Sequence, residues 1–518
     1  MRQQLATLFA DPVHPRARTA LTVLVCAMVV ALAALQMRGL RAPVFPVDDA
    51  YITLHNAISL RQGGDTSYVG VPPLVGATSA VHVALVTALL SVCPDLWALW
   101  LAGWIGTLLY ALGILRIGLV LEASAPECAL LVVFGLLVGQ TPHQLTNGLE
   151  TSLAMAGVAW ALAMTIAPHA HARLTLPALL GVLPFLRPEL LALSLLLSAF
   201  VGVRAWHEER VAARAAMARF SAAVLLGAAP WALLYWHTTG VPFPNTVQAK
   251  RFFFAEGCAP TAIKLDVTLM MLRDFFASLG LASLGALLLG TTGLGRITLV
   301  FAGTLVGAYF VNLPGALGHY ENRYVYILVP MLLFGITSGL RHPAKWIRWG
   351  SVAALILGVA ESAWSFPPRW QRHLDTIRFT TNELAPLAEW SNANLPIDAK
   401  LLVHDAGYIS WATKFRLFDI VGLKTPSSIP VHRDLTWKSC VDARTGTDVG
   451  ALAATVNRAR ATAVAEIARL NRPTHLVVLR RWEAIYATVS LLRAMGWSLE
   501  QVREGPFGYD VYQIRPPS

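Results

Sequence analysis

Two adjacent carboxylates, Asp48 and Asp49, are the residues of this sequence best placed for proton-transfer chemistry. They lie in the segment Phe-Pro-Val-Asp-Asp-Ala-Tyr-Ile at residues 45–52, directly after the first long apolar run. An ionised carboxylate in hydrogen-bond reach of a hydroxyl can take the proton that this hydroxyl loses when it attacks an anomeric carbon. The same residues could instead cap the following helix. We predict Asp48 or Asp49 as a catalytic base, with Asp48 preferred because it lies nearer the apolar run.

A second set of candidates is basic. Lys250 follows the segment Pro-Asn-Thr-Val-Gln-Ala, while His319 and Arg323 share the segment 318–324. Several cations together can hold a phosphate, because a departing phosphate needs its charge stabilised. A single Lys or Arg at the end of an apolar helix can also simply reach the lipid headgroups. With Arg187 added, these four residues are the predicted phosphate-binding candidates.

Four further polar residues are predicted substrate-binding candidates: Tyr51, His55, Glu150 and Asn245. Glu150 could equally form an ion pair with Arg187. A carboxylate pair can also hold a divalent cation, so the metal content is left open, and no other cofactor is predicted. The chain contains no P-loop, no GxGxxG after a strand and no HExxH motif.

The elements that must position these residues are mostly apolar. Hydrophobic residues make up 55% of the 518 positions and charged residues 14%, whereas soluble domains carry about 25% charged residues. The uncharged runs 19–37 and 275–295 can each cross a membrane, which takes roughly 20 helical residues. We predict a polytopic α-helical membrane protein with about eleven spans. The other nine are 96–115, 128–140, 151–167, 174–186, 190–203, 220–237, 297–313, 324–340 and 349–361.

Basic residues near the ends of these runs predict the orientation of the chain. Arg16 and Arg18 precede the first span, and Arg341, Lys345 and Arg348 lie in a short loop. We place these residues and the N-terminus in the cytoplasm of a bacterial cell, with the protein in the inner membrane. The same rule accounts for the net charge of +11, so no nucleic acid partner is predicted. The segments expected on the far side are 38–78, 141–150, 187–189, 238–267, 314–323 and the tail from 362. This orientation requires that the apolar run 79–93 does not fully cross the membrane.

The sequence changes character after Trp364, where polar and apolar residues become mixed. We predict a multi-span catalytic domain at 1–361, with its first external loop at 38–78, and an extracytoplasmic α/β domain at 362–518. Cys258 and Cys440 both fall outside on this topology, so a disulfide between them is predicted. The predicted strands are Lys400–Val403, Phe415–Ile420, Thr474–Leu479 and Tyr509–Ile514, alternating with helical stretches such as 450–470 and 486–496.

Taken in order, the polar segments resemble the bacterial GT-C glycosyltransferases related to the mycobacterial terminal arabinofuranosyltransferases. The resemblance runs from about residue 45 to about residue 425. Its motifs are Asp48-Asp49-Ala50-Tyr51-Ile52, Gly76-Ala77-Thr78-Ser79, Gly148-Leu149-Glu150-Thr151, Arg187-Pro188-Glu189, Pro244-Asn245-Thr246 with Lys250, Arg323-Tyr324 and Asp405-Ala406-Gly407-Tyr408-Ile409.

This resemblance implies an inverting transferase whose base is an aspartate of the first external loop, here Asp48 or Asp49. It also implies a multi-span core, a polyprenyl-phosphate-linked sugar donor and an extracytoplasmic C-terminal domain. The predicted acceptor is a cell-envelope glycan or glycolipid at the periplasmic face. The alternative is a transporter or flippase of lipid-linked sugars, which would place ionisable residues in the middle of spans. Here the polar clusters lie at predicted span ends, which favours the enzyme.

The orientation can be tested with a reporter fused after residue 366. We expect a reporter that is active only in the periplasm to be active in this fusion. Activity of a cytoplasm-specific reporter at the same position would invert the predicted orientation.

Overall fold

The structure is a computed structural model that describes residues 14–167, 170–208, 210–444, 448–505 and 508–517. Most of the described residues are helical, and the one sheet that they form is small and lies in the C-terminal part. The predicted fold class, a polytopic helical membrane protein followed by an α/β domain, is confirmed.

Seven of the described helices are long and apolar enough to cross a membrane, and a bent pair adds an eighth if it forms one span. The bent pair changes direction by 76° between Pro314–Asn322 and Tyr326–Leu340. The seven are Pro15–Met37, Asp95–Val120, Leu190–His207, Arg214–Thr239, Thr261–Leu289, Gly293–Asn312 and Lys345–Asn394.

Four shorter apolar helices complete this part: Ala80–Leu89, Ala125–Leu137, Thr151–Ile166 and Thr175–Leu186. Each predicted span therefore overlaps a helix, while the number of crossings stays a prediction.

One predicted boundary is wrong. The run 275–295 is not one helix, because a helix already begins at Thr261 and ends at Leu289. The first turns of that helix contain charged residues, so a hydropathy criterion does not detect where the helix starts. The next helix is capped by the Thr292 side chain, which accepts from the Gly295 N–H at 3.0 Å.

The remaining helices are short or belong to the C-terminal part. They are Asp48–Gln62, Thr141–Thr146, Thr246–Phe254, Tyr408–Ala412, Ser428–His432, Lys438–Ala443, Val449–Asn471, Arg480–Tyr486 and Thr488–Ala494. Short 3₁₀ turns cover Glu256–Cys258, Gly280–Ser283, Pro314–Gly318 and Tyr326–Leu328, and π turns cover Thr380–Leu384 and Arg433–Trp437.

The sheet has five strands: β1 Lys400–Val403, β2 Arg416–Asp419, β3 His475–Leu479, β4 Ser498–Arg503 and β5 Tyr509–Arg515. Their spatial order is β2-β1-β3-β5-β4. Strand β1 is parallel to β2 and β3, whereas β5 is antiparallel to β3 and β4. Four strands match the predicted runs, and the edge strand β4 was not predicted because its sequence, Ser-Leu-Glu-Gln-Val-Arg, is largely polar. We call residues 400–517 the sheet domain.

No loop separates the two predicted domains at residue 362. The helix Lys345–Phe379 passes through this position without interruption and continues through a π turn into Ala385–Asn394. The change in composition therefore marks the place where one long helix leaves the apolar bundle, and the first strand begins only at Lys400.

The helix Asp48–Gln62, here called the loop helix, lies between the bundle and the sheet domain. Tyr51 and Leu54 pack into an apolar cluster with bundle residues such as Leu99, while Ile52 packs into another with Leu401 of β1. Burial on both sides explains why this helix has no clear apolar stripe.

Cys258 and Cys440 are 182 positions apart in the sequence and form a disulfide, with Cα atoms 6.0 Å apart. The predicted pairing is confirmed. The disulfide connects the sheet domain to the segment directly after the helix Thr246–Phe254. This helix carries Lys250.

We expect loss of this disulfide to lower the free energy of unfolding by roughly 2–5 kcal/mol, because the bridge closes a long loop in the unfolded chain. Thermal unfolding of Cys258→Ala, Cys440→Ala and the double variant should show three similar losses. A wild-type unfolding temperature in all three would contradict a stabilising role.

Candidate active site

The two adjacent carboxylates begin the loop helix and face different surroundings. An acidic first turn favours the helix because its unpaired N–H groups carry partial positive charge. Gly63, at φ +76°, ends the helix in the left-handed region. Successive side chains of a helix point about 100° apart. Asp48 and Asp49 can therefore serve separate purposes.

Asp48 holds the sheet domain against the loop helix. Its Oδ2 accepts from the Gly407 N–H and its Oδ1 from the Tyr408 N–H, each at 2.7 Å. Position 407 must be glycine, because a Cβ there would lie 2.0 Å from the Asp48 carbonyl oxygen. Burial and the nearby charge of Asp405 raise the pKa of Asp48 well above its ordinary value. The hydrogen bonds from the two N–H groups lower this pKa, but they do not outweigh the other two effects. Since both carboxylate oxygens are occupied, the preference for Asp48 as the base is revised in favour of Asp49.

Asp49 faces two cations. Its Oδ2 lies 3.0 Å from Nη2 of Arg323 and 3.7 Å from Nζ of Lys250. Burial opposes ionisation of this carboxyl, but the charges of Lys250 and Arg323 outweigh it and hold the pKa of Asp49 well below its ordinary value. Asp49 is therefore an ionised carboxylate at neutral pH.

The phenol of Tyr324 joins the two cations. Its oxygen accepts from Nζ of Lys250 at 3.1 Å and from Nη2 of Arg323 at 2.6 Å. The Arg323 guanidinium also lies over the Tyr324 ring, 4.7 Å from its centroid. Tyr324 fixes both positive groups on the same side of Asp49.

A strained turn presents Arg323 to Asp49. The three preceding residues, Tyr320, Glu321 and Asn322, have φ angles of 46°, 56° and 65°, in the left-handed region that side chains other than glycine rarely adopt. Nε2 of Gln144 donates to the Tyr320 and Glu321 carbonyls, both at 2.9 Å. These bonds stabilise the turn at the break between the helices of the bent pair.

Two cavities meet at this cluster. The first, of about 350 Å³, is mainly polar. Its lining residues are Asp49, Ile52, Thr53, Gly76, Thr78, Leu149, Glu150, Thr246, Lys250, Arg323 and Leu423. The second, of about 670 Å³, is mainly apolar. It is lined by Thr78, Pro188, Glu189, Thr246, Val247, Lys250, Ala308, Tyr309, Asn312, Leu313, Ala316 and Tyr324. Because Thr78, Thr246 and Lys250 line both, the two cavities are neighbours.

Two predicted phosphate-binding residues, Arg187 and His319, line neither cavity. Arg187 is completely buried, and its Nη2 donates to Glu189 at 2.8 Å while its Nη1 donates to the Arg323 carbonyl at 3.1 Å. Because Arg187 is buried and lines neither cavity, its prediction as a phosphate-binding residue is corrected. The ring of His319 packs against that of Tyr320, with centroids 4.0 Å apart, and also lines neither cavity.

Three of the four predicted substrate-binding residues line neither cavity and are hydrogen-bonded to other residues of the chain instead. The Tyr51 hydroxyl accepts from the Phe45 N–H at 3.2 Å. His55 bonds through Nε2 to Oδ1 of Asp65 at 2.9 Å. Oδ1 of Asn245 accepts from the Gly76 N–H at 3.3 Å. The fourth, Glu150, lines the first cavity.

Sequence reasoning missed a buried ion pair that also joins the two parts of the chain. Nζ of Lys424 lies 2.9 Å from Oδ2 of Asp65 and donates to Oδ1 of Asn56 at 2.6 Å. Burial lowers the pKa of Lys424, although Asp65 works in the opposite direction. The sequence contains no signal for this pair, because the two residues are far apart and belong to no motif. Thr78 and Tyr324, by contrast, lie within segments that the sequence singled out.

Comparisons with known proteins bear on the fold. A family profile for a domain of unknown function, DUF8728, matches residues 374–512. A search of curated protein sequences finds no significant match. The solved structure of ArnT from Cupriavidus metallidurans bound to undecaprenyl phosphate is similar with a TM-score of 0.52, at 14% identity over 95% of this chain and 98% of ArnT. Its apo state gives 0.51, at 13% identity over 96% and 98%. The apo oligosaccharyltransferase of Archaeoglobus fulgidus gives 0.45, at 9% identity over 90% and 70%.

The chain has a GT-C-like fold. This fold was implied by the sequence resemblance and is confirmed, whereas a particular relation to arabinofuranosyltransferases stays a prediction. At 14% identity the similarity to ArnT concerns the fold alone. The chemistry of this GT-C-like chain must be argued from its own residues.

The site of this GT-C-like fold does not suit a divalent cation. Among the described residues, no group of three or more His, Cys, Asp or Glu side chains could hold a metal. The two carboxylates that suggested such a site are engaged, Asp48 by backbone N–H groups and Asp49 by Lys250 and Arg323. We therefore assign no chemical step to a metal.

We expect Asp48→Asn to weaken the attachment of the sheet domain. An amide has one oxygen, so one of the two backbone N–H groups would lose its acceptor, at a cost of roughly 1–3 kcal/mol. Thermal unfolding and limited proteolysis of the purified protein measure this loss.

Asp398→Asn is the matched control, because Asp398 is an exposed aspartate beside the first strand. Gly407→Ala should reproduce the Asp48→Asn phenotype. Equal stability of Asp48→Asn, Asp398→Asn and wild type would show that the contact contributes nothing to docking.

Proposed function

We propose that this protein is an inverting glycosyltransferase that moves a sugar from a polyprenyl-phosphate donor to a glycan or glycolipid hydroxyl at the periplasmic face of a bacterial inner membrane. The observation that carries the proposal is the position of Asp49. Its carboxylate lines the polar cavity and faces Arg323 and Lys250, and Lys250 also lines the apolar cavity.

The two cavities match the two chemical parts of such a donor. The apolar cavity suits isoprenoid carbon, and the polar one suits a sugar. A phosphate that links the two parts would lie at their shared wall, where Lys250 lies. The solved structure of ArnT, which has a similar fold, contains bound undecaprenyl phosphate, and this supports the same class of carrier here.

The charges explain how donor binding prepares the base. Without donor, Asp49 is the counter-ion of Lys250 and Arg323. A carrier phosphate brings a further negative charge to the same cations, so it competes with Asp49 for them. Asp49 then loses part of its charge stabilisation, which raises its pKa and makes it a better proton acceptor.

The reaction is a single displacement. The acceptor hydroxyl oxygen forms a bond to the anomeric carbon while its proton passes to Asp49. The bond from that carbon to the phosphate oxygen breaks, and polyprenyl phosphate leaves with the electron pair, held by Lys250 and Arg323. Attack from the side opposite the leaving group inverts the configuration.

The phosphate assignment is tested by binding undecaprenyl phosphate to the protein in lipid nanodiscs. Lys250→Ala and Arg323→Ala should each weaken binding about ten- to a hundredfold, since a lost hydrogen bond to a charged group costs about 1.5–3 kcal/mol. Asp49→Asn should bind at least as tightly as wild type, because it removes the competing anion. In a transfer assay with a sugar-bearing carrier, the same variant should lose about a hundred- to ten-thousandfold in rate.

Lys438→Ala is the matched control, because Lys438 is an exposed lysine of the sheet domain. Wild-type binding by Lys250→Ala and Arg323→Ala would remove the phosphate role. Full transfer by Asp49→Asn would remove the base. Movement of the carrier across the bilayer without transfer would favour the transporter alternative.

A further inference from the structure

Glu150 is a buried carboxylate without a hydrogen-bond partner. It is 5% exposed and lines the first cavity. Its carboxylate accepts no hydrogen bond from any residue that the structure describes, and it does not cap the helix Thr151–Ile166 that begins beside it. Buried carboxylates normally accept several hydrogen bonds, because leaving their lone pairs unfilled is costly. The usual structural roles therefore do not account for this side chain.

Arg187 compensates the charge of Glu150 only in part. The closest approach is 3.7 Å, between Nε of Arg187 and Oε1 of Glu150, and this Nε has no hydrogen-bond partner within the described chain. The terminal nitrogens of Arg187 are directed to Glu189 and to the Arg323 carbonyl. Glu150 thus has a nearby positive charge but its acceptor positions remain open.

The polar groups around Glu150 are hydroxyls. Thr53, Thr78 and Thr246 line the same cavity, and over the described ranges their side chains donate no hydrogen bond. The cations Lys250 and Arg323 are bound to Asp49 and Tyr324. The cavity therefore offers a cationic group for phosphate and, beside it, one free carboxylate with three free hydroxyls.

We propose that Glu150 is the specificity-determining residue for the donor sugar, accepting hydrogen bonds from its hydroxyl groups. This inference rests on the proposed function and identifies the sugar as neutral and polyhydroxylated. A cationic amino sugar is not required, because Arg187 already supplies a positive charge beside Glu150, and what the carboxylate lacks is hydrogen-bond donors. Hydroxyls fill the acceptor positions of Glu150 without adding charge.

The test compares binding of bare undecaprenyl phosphate with binding of carriers that bear a sugar. The probes are undecaprenyl phosphoglucose and undecaprenyl phosphoarabinose as neutral donors and undecaprenyl phosphoglucosamine as a cationic one. In wild-type protein at least one neutral donor should bind more tightly than the bare carrier. Glu150→Leu should abolish this advantage, a loss of about ten- to a hundredfold, without weakening binding of the bare carrier.

Glu150→Gln keeps the shape of the side chain and one carbonyl acceptor, so it should retain part of the advantage and also serves if Glu150→Leu misfolds. An unchanged sugar advantage in both variants, with normal binding of the bare carrier, would overturn the role of Glu150 and leave the proposed function standing. Tightest binding of the glucosamine donor would overturn the neutral sugar class. Failure of wild-type protein to bind the bare carrier would instead overturn the proposed function.

Discussion

The contact between the Asp48 carboxylate and the backbone N–H groups of Gly407 and Tyr408 is the link on which the geometry of the site depends. It joins the start of the loop helix to the sheet domain, with the buried Lys424–Asp65 pair as a second link. Both links are buried and screened from water, so removing one partner alone leaves a buried polar group unpaired, which is costly. Together they hold the loop helix between two apolar clusters, which fixes the direction of Asp49.

The cationic side of the site is constrained differently. Arg323 follows three left-handed residues whose conformation costs energy at every position. Gln144 stabilises this turn through the Tyr320 and Glu321 carbonyls, and Gln144 is itself completely buried. A helix that simply continued through residues 320–325 would carry Arg323 in another direction. The break between the helices of the bent pair therefore lies at the place where Arg323 faces Asp49.

Sequence reasoning predicted the fold class, the segments that form the site and the Cys258–Cys440 pair, because hydropathy, charge and motif order are local or additive signals. It could not divide the roles within those segments. Asp48 and Asp49 are neighbours with the same chemistry, and only their distant partners distinguish them, Gly407 for Asp48 and Arg323 for Asp49. Arg187 was predicted as a phosphate ligand because the sequence shows neither its burial nor its hydrogen-bond partners, which are properties of the packed chain. The edge strand β4 and the start of the helix at Thr261 were missed where polar residues mask a regular element.

The adjacency of Asp48 and Asp49 has a mechanistic consequence. Because the two residues share one turn of helix, any movement of the sheet domain that pulls on Asp48 also reorients Asp49 relative to Lys250 and Arg323. The attraction between Asp49 and these cations opposes such movement while the site is empty. When a phosphate takes over the cations, this restraint weakens and Asp49 becomes both more basic and freer to meet an incoming hydroxyl. On the proposed mechanism, donor binding thus comes before productive engagement of the acceptor, for an electrostatic reason and without any additional gate.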